Sequence, residues 1–141
     1  MAPVILDTNV LVSALIAPRG ASARILAAAR AGVFELTVSP ELVAEYRSVL
    51  AYPELVRRTG IGSKEADVLV AGIAATARLV DPLPGAAAPP DPGDAHLWAL
   101  LEAVPDGVLV TGDRALLAQE PPAGRLMTPR AFLDEFGAGF A

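Results

Sequence analysis

Two short runs of this 141-residue chain, Val4-Ile5-Leu6 and Val108-Leu109-Val110, are apolar at every position rather than at every second one. A strand with one wet face alternates. A strand covered on both faces does not, and such strands belong to parallel sheets with helices on either side. Each run is followed almost at once by an acid: Asp7 directly, and Asp113 after Thr111-Gly112. Burying a carboxylate alone costs several kcal/mol or forces it to stay neutral. An acid in that place either caps the next helix or sits where a strand ends and chemistry begins. In open α/β sheets, ligand sites lie at the carboxyl ends of strands, near the point where strand order reverses.

The rest of the chain supplies the helices such a sheet needs. Residues 21–31 predict a helix with Ile25 and Leu26 as apolar contacts and Gly32 at its end. Residues 34–38 alternate like a second strand. Ser39-Pro40-Glu41 combines an N-cap serine, proline at the first helical position and an acid in the first turn. That helix carries Leu42, Tyr46, Val49 and Leu50 on one face and stops before Pro53. Another helix begins at Ser63, with Val68, Leu69 and Ile73 expected inward, and Leu79-Val80 is a short strand candidate. Pro82 to Pro92 reads as a loop of Pro, Gly and Ala, of a length often functional within a compact domain. A helix over 94–103, a strand over 108–111, a short helix over 114–119, a strand over 125–127 and a helix over 129–136 capped by Thr128 complete the chain. The expected architecture is a single three-layer α/β/α domain over residues 1–141, with a central parallel sheet of four to five strands.

Composition narrows the chemistry. The chain has no cysteine, which removes disulfides, thiolate metal sites and thiol nucleophiles together and suits a reducing cytoplasm. Its longest uncharged stretches, 8–18 and 68–77, fall well short of the ~18 apolar residues of a spanning helix. No basic segment precedes the first apolar run, so the expectation is a cytoplasmic protein without a membrane segment. The formal charge of −5 counts against a polynucleotide substrate unless the acids are gathered in one site and screened by metal. The single histidine, His96, has no Gly-x-Ser-x-Gly elbow for company and reads as solvated or as a minor substrate contact. No phosphate-binding glycine motif is present.

The acids are the informative residues. Asp7 and Asp113 end apolar strands, Asp91 and Asp94 stand at a helix start in "DPGDAHLWALL", and Glu45 lies at the margin of a buried helix face. Each has a plain alternative: Asp94 and Asp113 as helix caps, Glu45 as a solvated acid. If they converge, two carboxylates ~5 Å apart repel by ~3 kcal/mol at an effective dielectric of 20. Several such pairs would need protons or a divalent cation. An oxygen-only site selects a hard ion such as Mg²⁺ or Mn²⁺, which polarises phosphodiesters and supplies hydroxide near neutrality.

The stretches "VILDTNVLVSAL", "FELTVSPELVAEYRSVLAYPEL", "DPGDAHLWALLEA", "VLVTGDRALL" and "RLMTPRAFLDEF" run in order from residue 4 to residue 136. In that order the chain resembles the PIN-domain nucleases, and within them the VapC-like toxin components of bacterial toxin–antitoxin pairs. The resemblance implies an α/β/α domain and Mg²⁺- or Mn²⁺-dependent cleavage of RNA to a 5′-phosphate and a 3′-hydroxyl. It implies Asp7, Asp94 and Asp113 as metal-binding acids, and Glu45 as an acid that holds metal or orients the attacking water. Thr8 and Asn9 would shape the turn, and Thr111 would support Asp7 by a hydrogen bond. Asp91 is a possible additional acid. Arg19, Arg24, Arg47 and Arg114 are candidates for phosphate contact, and a cognate antitoxin and a homodimer are the implied partners. The family often carries further acids where this chain has Gly93 and Ala95.

Two alternatives accompany that reading. A PIN-like module could bind metal or a partner without cleaving RNA. A haloacid-dehalogenase-like phosphatase also ends a strand with its aspartate, but needs Asp-x-Asp where this chain has Asp7-Thr8-Asn9, and a second acid where Leu117 stands.

Overall fold

The computed structural model describes residues 2–83 and 88–140. Residues 84–87 of the Pro82–Pro92 loop lie outside the described residues. The uniformly apolar runs do form fully buried strands. β1 (Val4–Leu6) pairs in parallel with β4 (Val108–Val110), register Val4 to Val108, and β4 pairs in parallel with β5 (Arg125–Met127). A second pair, β2 (Thr37–Val38) with β3 (Arg78–Leu79), is also parallel. A single bridge between Val4 and Leu36 joins the two sheets, so the strands run β3-β2-β1-β4-β5 across the molecule. The chain therefore moves outward from β1 on one side, then returns to place β4 on the other. Strand order reverses between β1 and β4, and Asp7 and Asp113 follow those two strands.

Helices flank the sheet: α1 (Thr8–Ile16), α2 (Ala21–Arg30), α3 (Pro40–Leu50), α4 (Pro53–Thr59), α5 (Ser63–Thr76), α6 (Ala95–Ala103), α7 (Arg114–Leu117) and α8 (Pro129–Phe136). Ser39 caps α3 by accepting from Leu42 N at 3.1 Å, and Thr128 caps α8 by accepting from Ala131 N at 3.0 Å. The core is one cluster of buried apolar side chains that extends from Val4 to Leu133, dominated by Leu, Val, Ile and Ala. Phe132 packs edge-on against Phe34 at 5.6 Å between ring centres, fixing α8 against the segment that leads into β2.

The sequence expectations need four amendments. The residues after Asp7, for which no element was expected, form α1, a helix that begins at once. A further helix, α4, starts at Pro53 and ends at Gly60, which adopts a left-handed φ of +71°. The second strand is shorter than 34–38, with Leu36 only bridging and the ladder confined to Thr37–Val38. Val68 is 70% exposed, because α5 buries Ala66, Val70 and Ile73 and a residue two positions beyond Ala66 points to the opposite face. No single helix among the described residues is long and apolar enough to cross a membrane. α1 and α2 together have the composition, but they are bent by 106°.

β5 reaches β4 through a tight approach at Gly124. Its φ is +71°, and a Cβ there would stand 2.4 Å from the carbonyl oxygen of Gly107, which accepts the first hydrogen bond of β5 from Arg125 N. Gly32 has a similar φ of +77° but open space around it. Denaturant unfolding should therefore separate the two: Gly124→Ala is expected to cost upward of about 3 kcal/mol, and Gly32→Ala about 1–2 kcal/mol, the left-handed penalty alone.

Candidate active site

Asp7 is 7% exposed and is bound on both carboxylate oxygens. As N-cap of α1 it accepts from Thr8 N on Oδ1 at 2.7 Å. On Oδ2 it accepts from the Thr111 hydroxyl at 2.7 Å and from Asn9 Nδ2 at 3.1 Å. The two readings of an acid after a strand are therefore both realised: Asp7 ends β1 and caps α1. It is the backbone of Thr8 that holds it, since the Thr8 hydroxyl is buried without a partner.

The network crosses from β1 to β4. Asn9 Oδ1 accepts from Gly112 N at 3.1 Å, and Thr111 Oγ1 accepts from Asp113 N at 3.1 Å. Asp113 caps α7, accepting on Oδ1 from Ala115 N at 2.9 Å and Leu116 N at 3.3 Å. Its Oδ2 carries no hydrogen bond among the described residues. Capping thus uses one oxygen and leaves the other for a ligand.

The two acids of "DPGD" divide their work. Asp91 accepts from Gly93 N at 2.8 Å and closes the 3-10 turn Pro92–Asp94. Asp94 makes no capping hydrogen bond at the start of α6. Its carboxyl is pushed above the ordinary range by burial first, then by the charges of Asp91, Asp7 and Asp113. Asp7 is likewise raised, by burial first and also by Asp113, against the hydrogen bonds from Thr111 and Thr8. Of the groups that act on either acid through charge, His96 alone lowers the pKa.

Glu45, on α3, meets the cluster through His96. The His96 side chain is only 7% exposed, and its Nε2 stands 2.8 Å from Glu45 Oε2. The contact is close but oblique: neither Glu45 Oε2 nor His96 Nδ1, both buried, has an aligned hydrogen bond. This corrects the expectation of a solvated histidine; packing of α6 against α3 closes over the ring. Tyr46 on the next α3 position donates its phenolic proton to the carbonyl of Leu6 at 2.5 Å, anchoring the residue before Asp7. Burial first, then the charges of Asp7 and Glu45, raise its pKa and keep it protonated. Its place on the apolar face of α3 gave no sign of that polar contact.

No arginine shares in the hydrogen bonds of this centre among the described residues. Arg19, Arg24, Arg47 and Arg114 are all exposed, and none acts on Asp7 or Asp94. Arg47 is 3.9 Å from Asp67 on α5, and Arg24 borders a shallow hollow with Ala28 and Phe140.

Among the described residues, no three acids or imidazoles stand close enough together to make a ready metal cage. The donor chemistry still fits a hard divalent cation. Asp7, Asp94 and Asp113 offer oxygen alone at the strand-order reversal, and the charge of Asp113 adds to burial in raising both Asp7 and Asp94.

These shifts fix a sign. A carboxyl raised above its ordinary 3.8 binds a proton in the folded protein at a pH where the unfolded chain has lost it. Stability therefore falls as pH rises from 3.8 through the raised value, and the deficit is complete above it. With a chelator present, wild type is expected to gain stability on Asp7→Asn as the pH is lowered from 7 toward 4, read from denaturant midpoints. A loss relative to the variant would show that the fold favours the carboxylate.

Comparison with known proteins agrees with this arrangement. A family model described as PIN domain matches residues 3–115, ending two residues after Asp113. The closing β5 and α8 lie beyond the match. No curated protein matches the chain.

Proposed function

The chain belongs to the PIN-domain family of nucleases, and on that premise we propose that it is a divalent-metal-dependent endoribonuclease built as a single domain. The observation that carries the proposal is the linkage of Asp7 through Thr111 to Asp113 at the reversal of strand order, where the charge of Asp113 adds to burial in raising both Asp7 and Asp94. A fold does not by itself favour three carboxylates whose charges oppose one another; a cation between them converts the repulsion into attraction.

Asp7, Asp94 and Asp113 would hold Mg²⁺ or Mn²⁺, with Asp91 beside them as a possible further acid. Such an ion supplies charge neutralisation at the phosphodiester and water of lowered pKa. The chain's own residues do the rest. Thr111, Asn9 and the backbone of Thr8 fix the orientation of Asp7. Glu45, half-buried and in contact with His96 two residues after Asp94, would orient the attacking water and accept its proton. Arg114, the first residue of α7, and Arg19, Arg24 and Arg47, all exposed, would contact phosphates.

The toxin reading adds partners. A cognate antitoxin would neutralise the enzyme in the cytoplasm, and a homodimer would use the apolar early helices. A shallow groove of about 200 Å³ between α1, α3 and α4, lined by Val12, Ile16, Val49, Tyr52 and Leu55, offers apolar surface for such contacts. Expression alone should arrest growth, and co-expression of the product of the reading frame just upstream should relieve it.

A second reading, a PIN domain that binds metal or a partner without cutting RNA, is favoured by one observation: the acids do not form a closed cage. Calorimetric titration of Mn²⁺ into wild type and Asp7→Asn, with both assayed on total cellular RNA, separates the two. The nuclease reading expects Mn²⁺ binding and cleavage in wild type, both lost by at least about 100-fold in the variant. Binding without cleavage of any RNA supports the silent module, and no binding overturns both.

A further inference from the structure

We propose that His96 is a positioning residue for Glu45, holding one oxygen of that carboxylate so that the other faces the acid cluster. The proposal rests on the nuclease reading above and adds to it a residue outside the acid set. Three observations carry it. His96 stands in the first turn of α6, two residues after Asp94, and Glu45 on α3, so their 2.8 Å contact ties the two elements that bring acids to the site. The contact engages Oε2, which is buried although the Glu45 side chain is 38% exposed, so Oε1 is the oxygen left for water or an ion. A free glutamate samples many rotamers; a carboxylate held on one side keeps few. Finally, His96 lies near enough to Asp7 and Asp94 for its charge to act on both, so the His96–Glu45 pair stands beside the cluster.

A purely structural role fits poorly. Among the described residues Nδ1 is buried without a partner, and Oε2 is met off its ideal direction. A leucine would fill the space with no orphaned nitrogen, so the imidazole costs the fold stability that an apolar side chain would not. That difference makes the role measurable.

RNA cleavage with Mn²⁺ should be followed in wild type, His96→Leu, His96→Gln, Glu45→Gln and the double variant Glu45→Gln/His96→Leu, with thermal unfolding recorded for each. His96→Leu is expected to lower kcat by about 10–100-fold, the usual effect of removing a group that orients an active-site ligand. KM should stay within about twofold and Tm should equal or exceed that of wild type. His96→Gln, whose amide can still donate to Glu45, should recover part of the rate. In the Glu45→Gln background, His96→Leu should have no further effect. An unchanged kcat in His96→Leu, losses that multiply in the double variant, or a fall in rate matched by a fall in Tm overturns the proposal.

If wild type cuts no RNA, the nuclease reading fails and the pairing is read without it. His96 is the only histidine of the chain, so its imidazole nitrogen signals are unambiguous in NMR spectra. A shift of those signals on Glu45→Gln supports the coupling, and unmoved signals overturn it.

Discussion

The structure turns on a buried carboxylate that joins two strands the chain sequence keeps apart. Asp7 closes β1, starts α1 and receives the Thr111 hydroxyl from the end of β4, while Asn9 returns the connection to Gly112. The two bonds that end on the Asp7 carboxylate are charge-assisted when it is ionised, and each is then stronger than a neutral one. Even so, burial and the charge of Asp113 outweigh them, and the carboxyl is raised. The fold thus orients an acid firmly while opposing its ionisation. Hydrogen bonds set the direction of the side chain; the surroundings withhold the charge compensation that only a ligand can bring. An arginine in place of any of these contacts would stabilise the apo fold and remove the reason for a cation to bind.

Much of this was legible because it depends on neighbours in sequence. Apolar residues at every position of 4–6 and 108–110 imply burial on both faces, and the parallel pairing of β1 with β4 follows from that. Ser39 and Thr128 cap α3 and α8 as their sequence context requires. The helix α4 carried its own signal in Pro53-Glu54 and Gly60, a start and a stop, and α1 carried its start in Asp7, the cap of a helix that follows β1 without a loop. Val68 shows the limit of apolarity as a guide: α5 offers more apolar residues than the core can take, and the 66, 70, 73 spacing decides which enter.

What the sequence withheld depends on contacts between distant segments. The burial of His96 is decided by how α6 packs on α3, and nothing within a few residues of position 96 announces Glu45, 51 positions earlier in the chain. The hydrogen bond of Tyr46 to Leu6 is hidden for the same reason: on a helical wheel a tyrosine on the apolar face is simply another core residue. The placement of the acids could be anticipated as a neighbourhood, through strand ends and the reversal of order, but the division of labour within it could not. That Asp91 closes a turn while Asp94 stays uncapped is a matter of the 3-10 turn between them.

The net charge of −5 bears on how such a site could hold RNA. Proteins that grip nucleic acid through many cations gain affinity from released counterions. Here several arginines are already engaged at the surface: Arg47 with Asp67, Arg57 with Glu54 and Arg125 with Glu135. On the proposed reading the cluster would repel phosphate until a cation is bound. Affinity for RNA and affinity for the ion would then be coupled through the same carboxylates. An RNA grip of that kind is weak without the ion and only modestly sensitive to added salt with it. The acidic surface, which at first argues against a polynucleotide substrate, becomes compatible with one provided that the metal arrives first.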